Sequence, residues 1–240
     1  MVMKSLSVVI PAYNESQRIK STVDIILKYL KNWKIKFEII VVDDGSIDNT
    51  VDEVKKINKK NIRLIKNGRN YGKGYSEKNG ILNSRYEYVL FSDADLSTPI
   101  DMLDRFEKYI DNYDIVIGSR ALSGSDIKIK QPFYREFMGK IFNKFVRLFT
   151  VRGINDTQCG FKLFKGNIAK KIFERATLDG FGFDVEILYI AKLNGIKIIE
   201  VPVIWRNSKL SKVRPIKDAV RMFKDLFIIR INKAKGKYYF

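Results

Sequence analysis

Three acidic clusters each follow a short apolar run in the first hundred residues: Glu15 after Leu6–Ile10, Asp43 and Asp44 after Phe37–Val42, and Asp93 and Asp95 after Tyr88–Phe91. In an open α/β sheet, ligands bind outside the carboxyl ends of the strands, so the three clusters converge on one cleft. Carboxylates crowded there repel one another unless a cation or hydrogen-bond donors lie between them. The alternative is helix capping, a role for which Asp48 is well placed. In Asp93-Ala94-Asp95, alternate residues of an extended segment point to opposite sides, so two carboxylates can serve different parts of one ligand. One can hold a divalent metal on a diphosphate while the other meets a ribose or a neighbouring metal position.

Histidine is absent from all 240 residues, which excludes Ser-His-Asp and Cys-His catalysis, His-ligated zinc and a histidine general base. The single cysteine, Cys159, excludes an internal disulfide and is compatible with a reducing compartment. A metal in this chain must therefore sit on oxygen ligands, which points to Mg2+ or Mn2+. Gly68-Arg69-Asn70-Tyr71-Gly72-Lys73-Gly74 is like a Walker loop but is one spacer short, and Gly74 stands where Ser or Thr is needed. The dinucleotide fingerprint also fails, because Glu77 occupies the place of the third glycine. A glycine-rich turn with Lys73 opening a helix remains a reasonable neighbour for a phosphate.

Positioning these groups requires alternating elements, and the apolar pattern supplies them. Strands are expected at Leu6–Ile10, Phe37–Val42, Ile62–Ile65, Tyr88–Phe91 and Asp114–Ile117. Helices are expected between them at Ser16–Leu30, Asn49–Ile57, Tyr71–Ser84 and Ile100–Ile110. Such alternation implies right-handed crossovers and a mostly parallel, Rossmann-like sheet covered by helices on both faces. Beyond Lys128 the pattern predicts a long helix over Phe133–Val151, a strand over Phe161–Phe164, and helices over Gly166–Glu174 and Asp184–Asn194. A strand over Ile196–Trp205 follows, in which Pro202 signals an edge or a bulge. Ser211–Asn232 closes the chain as an amphipathic helix, so residues 1–210 form the expected catalytic domain and residues 211–240 a basic helix and tail.

Composition is that of a globular chain of one or two domains: 27.9 kDa, 45% hydrophobic, 30% charged, with a mean hydropathy of −0.18. Forty-five basic against 27 acidic residues give a formal charge of +18, a field that favours nucleic acid, an anionic membrane surface or phosphorylated substrates. The competing account is a lysine-rich composition spread over the whole chain. Lys128–Arg152 holds seven basic residues against one acidic, and Lys209–Phe240 ten against two. Phe137, Ile141, Phe142, Phe145, Leu148 and Phe149 share one arc of the first segment, and Val220, Phe223, Phe227 and Ile231 repeat at helical spacing in the second. Basic amphipathic helices of this kind bind membrane interfaces. The alternative is that both apolar faces pack onto the sheet or onto another subunit of a homo-oligomer. No window reaches about 18 uncharged apolar residues, and Met1–Pro11 lacks the features of a signal peptide. The expectation is a chain that lies on a membrane or in solution without crossing a bilayer. No zinc, helix-turn-helix or RNA-binding signature accompanies the charge, so a nucleic-acid partner is not expected.

Val8-Val9-Ile10-Pro11-Ala12-Tyr13-Asn14-Glu15, Val41-Val42-Asp43-Asp44-Gly45-Ser46 and Asp93-Ala94-Asp95 resemble the nucleotide-sugar binding elements of family 2 glycosyltransferases, which have the GT-A fold. Gly118-Ser119-Arg120, Asp156-Thr157-Gln158-Cys159-Gly160-Phe161-Lys162, Phe183-Asp184-Val185-Glu186 and the tail from Ser211 to Phe227 narrow the resemblance to dolichyl-phosphate glucosyltransferases, relatives of the dolichyl-phosphate mannose synthases. The likeness runs from about Leu6 to Arg230. Eukaryotic members carry an N-terminal membrane helix that is not read in this sequence.

The resemblance implies a metal-dependent, inverting transfer of a sugar from a nucleotide-sugar donor to a dolichyl or polyprenyl phosphate, at the cytoplasmic face of a membrane. Glucose from UDP-glucose is the expected donor; GDP-mannose and UDP-N-acetylglucosamine are the alternatives. Pro11, Tyr13, Glu15, Asp43, Asp44, Lys73 and Asp93 would surround the donor nucleotide, and Asp93 and Asp95 would ligate Mg2+ or Mn2+. Arg120, Arg135, Gln158, Lys162, Asp184 and Glu186 would face the acceptor phosphate. For Arg120 and Arg135 the alternative is an ordinary salt bridge. Asp156 would be a base or an orienting group. Because a phosphate monoester is already ionised at neutral pH, a strong base is scarcely required.

Overall fold

The computed structural model describes residues 3–129, 146, 150–151, 153–206 and 215–240. The expected helix over Phe133–Val151 falls almost wholly outside these residues, as do Arg135 and Ser211–Arg214. Seven strands form the main sheet: β1 (Ser5–Ala12), β2 (Lys36–Asp43), β3 (Ile62–Lys66), β4 (Tyr88–Ser92), β5 (Ile115–Ser119), β7 (Phe161–Lys165) and β8 (Ile198–Pro202). Their spatial order is β3-β2-β1-β4-β7-β5-β8. The helices are α1 (Ile19–Lys31), α2 (Thr50–Lys55), α3 (Lys73–Leu82), α4 (Leu103–Ile110), α5 (Gly166–Arg175), α6 (Phe183–Leu193) and α7 (Pro215–Ala234).

The uninterrupted apolar strands follow from burial on both faces. Val8 and Ile10 of β1, with Ile39, Val41 and Leu90, join a core completed by Val23 and Ile26 of α1 and Phe106 of α4. Their neighbours Val9, Ile40, Val42, Val89 and Phe91 join the opposite core, with Ile81 of α3, Ile172 of α5 and Leu226 and Ile229 of α7. Period-two alternation thus distributes each strand between two helical layers.

The second half departs from the simple alternating pattern in two places. Strand β7 is inserted antiparallel between β4 and β5, with Ser92 opposite Phe161. Its first residue therefore stands beside the last residue of β4, and the preceding loop is carried to the carboxyl end of the sheet. The expected single strand over Ile196–Trp205 is instead two. β8 ends at Pro202 on the sheet edge, and β9 (Ile204–Arg206) pairs with β6 (Asp126–Ile129) in a separate two-stranded sheet. Proline donates no ladder hydrogen bond, which suits the edge position and the break that follows.

Of the apolar stripe read on helix α7, Phe223 packs beside the core while Phe227 and Ile231 are exposed. Leu226 and Ile229 face the core with Met222 and Phe223 beside them, whereas Phe227, Ile228 and Ile231 are exposed. The segment is apolar on more than one face, so spacing alone could not choose which one the sheet covers.

Candidate active site

Strand order reverses between β1 and β4, and the crevice outside their carboxyl ends is flanked by Ala12–Glu15 and Ser92–Asp95. Asn14 and Leu96, each next to a candidate carboxylate, adopt left-handed backbone conformations with φ of 54° and 46°. Asparagine tolerates that region; for a branched apolar leucine it is a strained choice that the surroundings must impose. Two bonds do so here: the Leu96 N–H donates to the Asp93 carbonyl at 3.2 Å, and the Thr22 hydroxyl of α1 donates to the Ala94 carbonyl at 2.6 Å.

Asp95 is half-buried, and its Oδ1 accepts the Ser97 N–H at 2.9 Å. Asp93 pairs with Lys73 Nζ at 2.6 Å and keeps its side chain 31% exposed. Burial opposes charge on Lys73, but Asp93 and then Asp184 outweigh it and raise the ammonium above its ordinary value. Among the described residues, no three Asp, Glu, Cys or His side chains gather into a ready-made metal cage. Two carboxylates at a cleft fit a Mg2+- or Mn2+-type ion whose remaining ligands are water and substrate phosphates. Gly160 makes this arrangement possible from the β7 side. Its carbonyl accepts the Asp93 N–H at 3.2 Å, and a Cβ at that position would lie 1.8 Å from Asp93 Oδ2.

The carboxylates after β2 are placed differently. Asp43 is buried and accepts the Ser46 N–H at 3.3 and 3.4 Å. Asp44 Oδ1 takes Asn67 Nδ2 at 2.9 Å and the Tyr71 N–H at 3.1 Å, and its Oδ2 takes the Gly72 N–H at 2.8 Å. Asp44 therefore shapes the glycine-rich turn. Gly72 is required there: its φ is 113°, and a Cβ would meet the Asp179 carbonyl at 2.5 Å. Glu15 grips Arg18 with both oxygens, and its own N–H donates to Thr50 Oγ1 at 2.7 Å. Pro11 and Tyr13 are half-buried at the end of β1 and just after it.

At the end of β5, Arg120 meets Asp156 in a bidentate pair, Nε to Oδ2 at 2.7 Å and Nη2 to Oδ1 at 2.8 Å. The Arg120 backbone N–H adds a third bond to Oδ2 at 2.9 Å, and Trp205 lies under the guanidinium at 5.4 Å. Burial would raise the Asp156 pKa, yet Arg120 overcomes it and holds the carboxyl below its ordinary range. With its oxygens occupied and its proton affinity lowered, Asp156 has the chemistry of an orienting group rather than a base. The Gln158 backbone N–H also donates to Asp156 at 3.2 Å, and its side-chain amide reaches Met222 Sδ at 3.5 Å.

Deeper in, Lys162 and Asp184 form a fully buried ion pair, and Lys162 also donates to the Cys159 carbonyl at 2.8 Å. Lys73 and Lys162 both lie against the Phe91 ring, at 5.0 and 5.2 Å from its centroid. Glu186, also expected on the acceptor side, is buried with both carboxyl oxygens occupied. Its carboxylate accepts the N–H groups of Thr177 and Leu178 at 2.9 and 2.8 Å, the Thr177 hydroxyl at 2.7 Å and the Tyr238 hydroxyl at 2.5 Å. Two residues along a helix is a rotation of about 200°, so Asp184 and Glu186 face apart. Glu77, Phe91 and Trp205 carry no signal in the sequence beyond that of a core or surface residue, and only the fold brings them to the crevice.

The chain matches the family model for glycosyl transferase family 2 over residues 7–173. It is 41% identical to dolichyl-phosphate beta-glucosyltransferase of Dictyostelium discoideum, over 96% of this chain and 75% of the relative. It is 36% identical to the Homo sapiens enzyme of the same name, over 98% of this chain and 78% of the relative. Glucosyl-3-phosphoglycerate synthase from Mycobacterium tuberculosis, solved with Mn2+, UDP-glucose and phosphoglyceric acid, shares the fold with a TM-score of 0.66 at 17% identity, covering 94% of this chain and 79% of that one. No helix among the described residues is long and apolar enough to cross a membrane. The strand-end carboxylates, the mixed seven-stranded sheet and these matches lead to one conclusion: the chain is a glycosyltransferase of family 2, related along nearly its whole length to the dolichyl-phosphate beta-glucosyltransferases.

Proposed function

We propose that this chain transfers glucose from UDP-glucose to the phosphate of a dolichyl or polyprenyl lipid, at the cytoplasmic face of a membrane. The observation that supports this is the placing of Asp93 and Asp95 just after β4 and of Arg120, held by Asp156 from the loop before β7, just after β5, with Asp93 within electrostatic reach of Arg120. Asp95, with Asp93 beside it, would hold Mg2+ or Mn2+, which supplies charge neutralisation to the departing diphosphate when bound. Pro11, Tyr13, Glu15, Asp43 and the turn ordered by Asp44 shape the nucleotide side. Lys73, at the first residue of α3, lies at that turn beside Asp93. Arg120, oriented by Asp156, offers a fixed guanidinium to the acceptor phosphate, with Gln158 on the same loop as Asp156.

In the reaction an acceptor phosphate oxygen forms a bond to the anomeric carbon as the bond to UDP breaks. The attack inverts the α-linked donor to a β-linked product. A phosphate monoester, with a second pKa of about 6, is already mostly dianionic at neutral pH, so no side chain has to remove a proton. The absence of histidine is no obstacle to this chemistry.

A lipid acceptor brings the enzyme to a bilayer, and α7 carries a surface suited to one. Phe227, Ile228 and Ile231 are exposed with Lys224 and Arg230 exposed among them, and Tyr239 and Phe240 are exposed at the end of the chain. Apolar side chains ringed by positive charge complement an anionic lipid surface.

The test is to incubate the purified protein with dolichyl phosphate, Mg2+ or Mn2+, and UDP-glucose, GDP-mannose or UDP-N-acetylglucosamine in turn, following lipid-linked sugar. Product from UDP-glucose is expected. Product from another donor alone overturns the sugar assignment, and no product from any donor overturns the acceptor.

A further inference from the structure

Glu77 lies one helical turn beyond Lys73 on α3, on the same face of that helix. Its side chain is fully buried, and neither carboxyl oxygen has a hydrogen-bond partner among the described residues. Other buried carboxyls around the crevice are held: Asp44 by the glycine-rich turn, Asp156 by Arg120 and Asp184 by Lys162. Glu77 sits in the field of two ion pairs, Lys73–Asp93 and Lys162–Asp184. Each ammonium there already has its own carboxylate, so Glu77 is a supernumerary acceptor. Burying an unpaired carboxyl is unfavourable, and a buried polar group without a partner marks a place where one arrives in another state.

Lys73 is the first of the charges that act on Glu77, and its ammonium is carried on a flexible four-carbon stem one helical turn away. We propose that Glu77 is a second seat for the Lys73 ammonium: Lys73 rests on Asp93 in the free enzyme and moves to Glu77 when the donor and its metal claim Asp93. The inference rests on the donor and metal reading above. Its consequence is that Asp93 can be released to the ligand without leaving a half-buried ammonium unpaired beside Phe91. Glu77 touches no reacting atom; it is a positioning residue that acts through Lys73.

The measurement is the affinity for UDP in the presence of Mn2+, by calorimetry, for the wild type and for Glu77→Leu, Glu77→Gln and Lys73→Met, each alone and with the two sites combined. Glu77→Leu is expected to weaken Mn2+–UDP about ten-fold while raising the melting temperature of the free enzyme, because it removes an unpaired buried carboxyl. Glu77→Gln, which keeps one acceptor oxygen, is expected to restore part of the loss. In the K73M background the Glu77→Leu effect is expected to vanish, which a merely structural role would not produce. Wild-type affinity in Glu77→Leu, or an equal loss with and without Lys73, overturns the inference. Should Glu77→Leu not fold, Glu77→Gln in the two backgrounds decides by the same criterion. Failure of the wild type to bind Mn2+–UDP overturns the donor reading instead, so the two failures are distinct.

Discussion

The carboxylates at the end of β4 and those around β7 and α6 have opposite relations to water. Asp93 and Asp95 are partly exposed at the mouth of the crevice. Asp156 and Asp184 are buried with their cations, 36 and 22 residues away in the chain, whereas Asp93 meets Lys73 where both side chains are partly exposed. The same side chain therefore does two jobs in one cleft. Where solvent and ligand reach it, a carboxylate can hold a metal or a ribose. Where they do not, it sets the direction of an arginine or a lysine. Removing one partner of a buried pair leaves an uncompensated charge, whereas an exposed carboxylate is removed at little cost to folding.

Four substitutions or conditions sharpen this contrast, taken from the largest effect to the smallest. Asp95→Asn is expected to reduce sugar transfer about a thousand-fold, the scale of several kcal/mol that a metal supplies, with an unchanged melting temperature. A large loss of stability in that variant would erase the distinction between the two classes. Asp184→Asn is expected to lose about 3 kcal/mol of folding stability in urea titration, since Lys162 then lies buried without a counter-charge, keeping only the Cys159 carbonyl. Stability equal to the wild type would show that Lys162 has no need of its partner.

Acidification probes the Arg120 pair. The folded Asp156 pKa lies below its ordinary 3.8, so the stabilisation is fully present above that value and is lost as pH falls through the lower, folded pKa. Asp156→Asn is expected to flatten the dependence of stability on pH below about 4, by about 1.4 kcal/mol for every tenfold by which Arg120 weakens proton binding. An unchanged slope would assign acid sensitivity to other carboxyls. The smallest effect concerns Cys159, whose buried thiol is pushed up to about 11. It is expected to resist iodoacetamide at about pH 8 in the folded protein and to react at once in denaturant; rapid alkylation of the native state would contradict the burial.

The two halves also differ in how readily their residues announce themselves. The parallel β-α alternation up to β5 and the acidic strand ends are short-range patterns, because each strand, turn and helix is a contiguous run with its own period. The antiparallel insertion of β7 is a decision about which strands lie side by side, and its apolar run would serve either direction equally. From that insertion follows much that was not legible: the close approach of Gly160 to Asp93, and the meeting of Arg120 with Asp156 across the β5 and β7 loops. Asp184 and Glu186, both carboxylates and two positions apart, meet different partners, Lys162 for one and Thr177, Leu178 and Tyr238 for the other, because packing decides what each side of α6 faces. The buried stripe of α7 was settled the same way, by which face the sheet covered.

By itself the sequence determined the α/β class, the positions of most strands and helices in the first half, and the carboxylates that crown β1, β2 and β4. These depend on periodicity and on the chemistry of single residues. Only the tertiary structure decided which carboxylates stay partly exposed and which hold Arg120, Lys162 and the glycine-rich turn. It also exposed Glu77 as a carboxyl without a partner among the described residues. Burial and pairing are properties of contacts between residues far apart in the chain, and no local pattern encodes them.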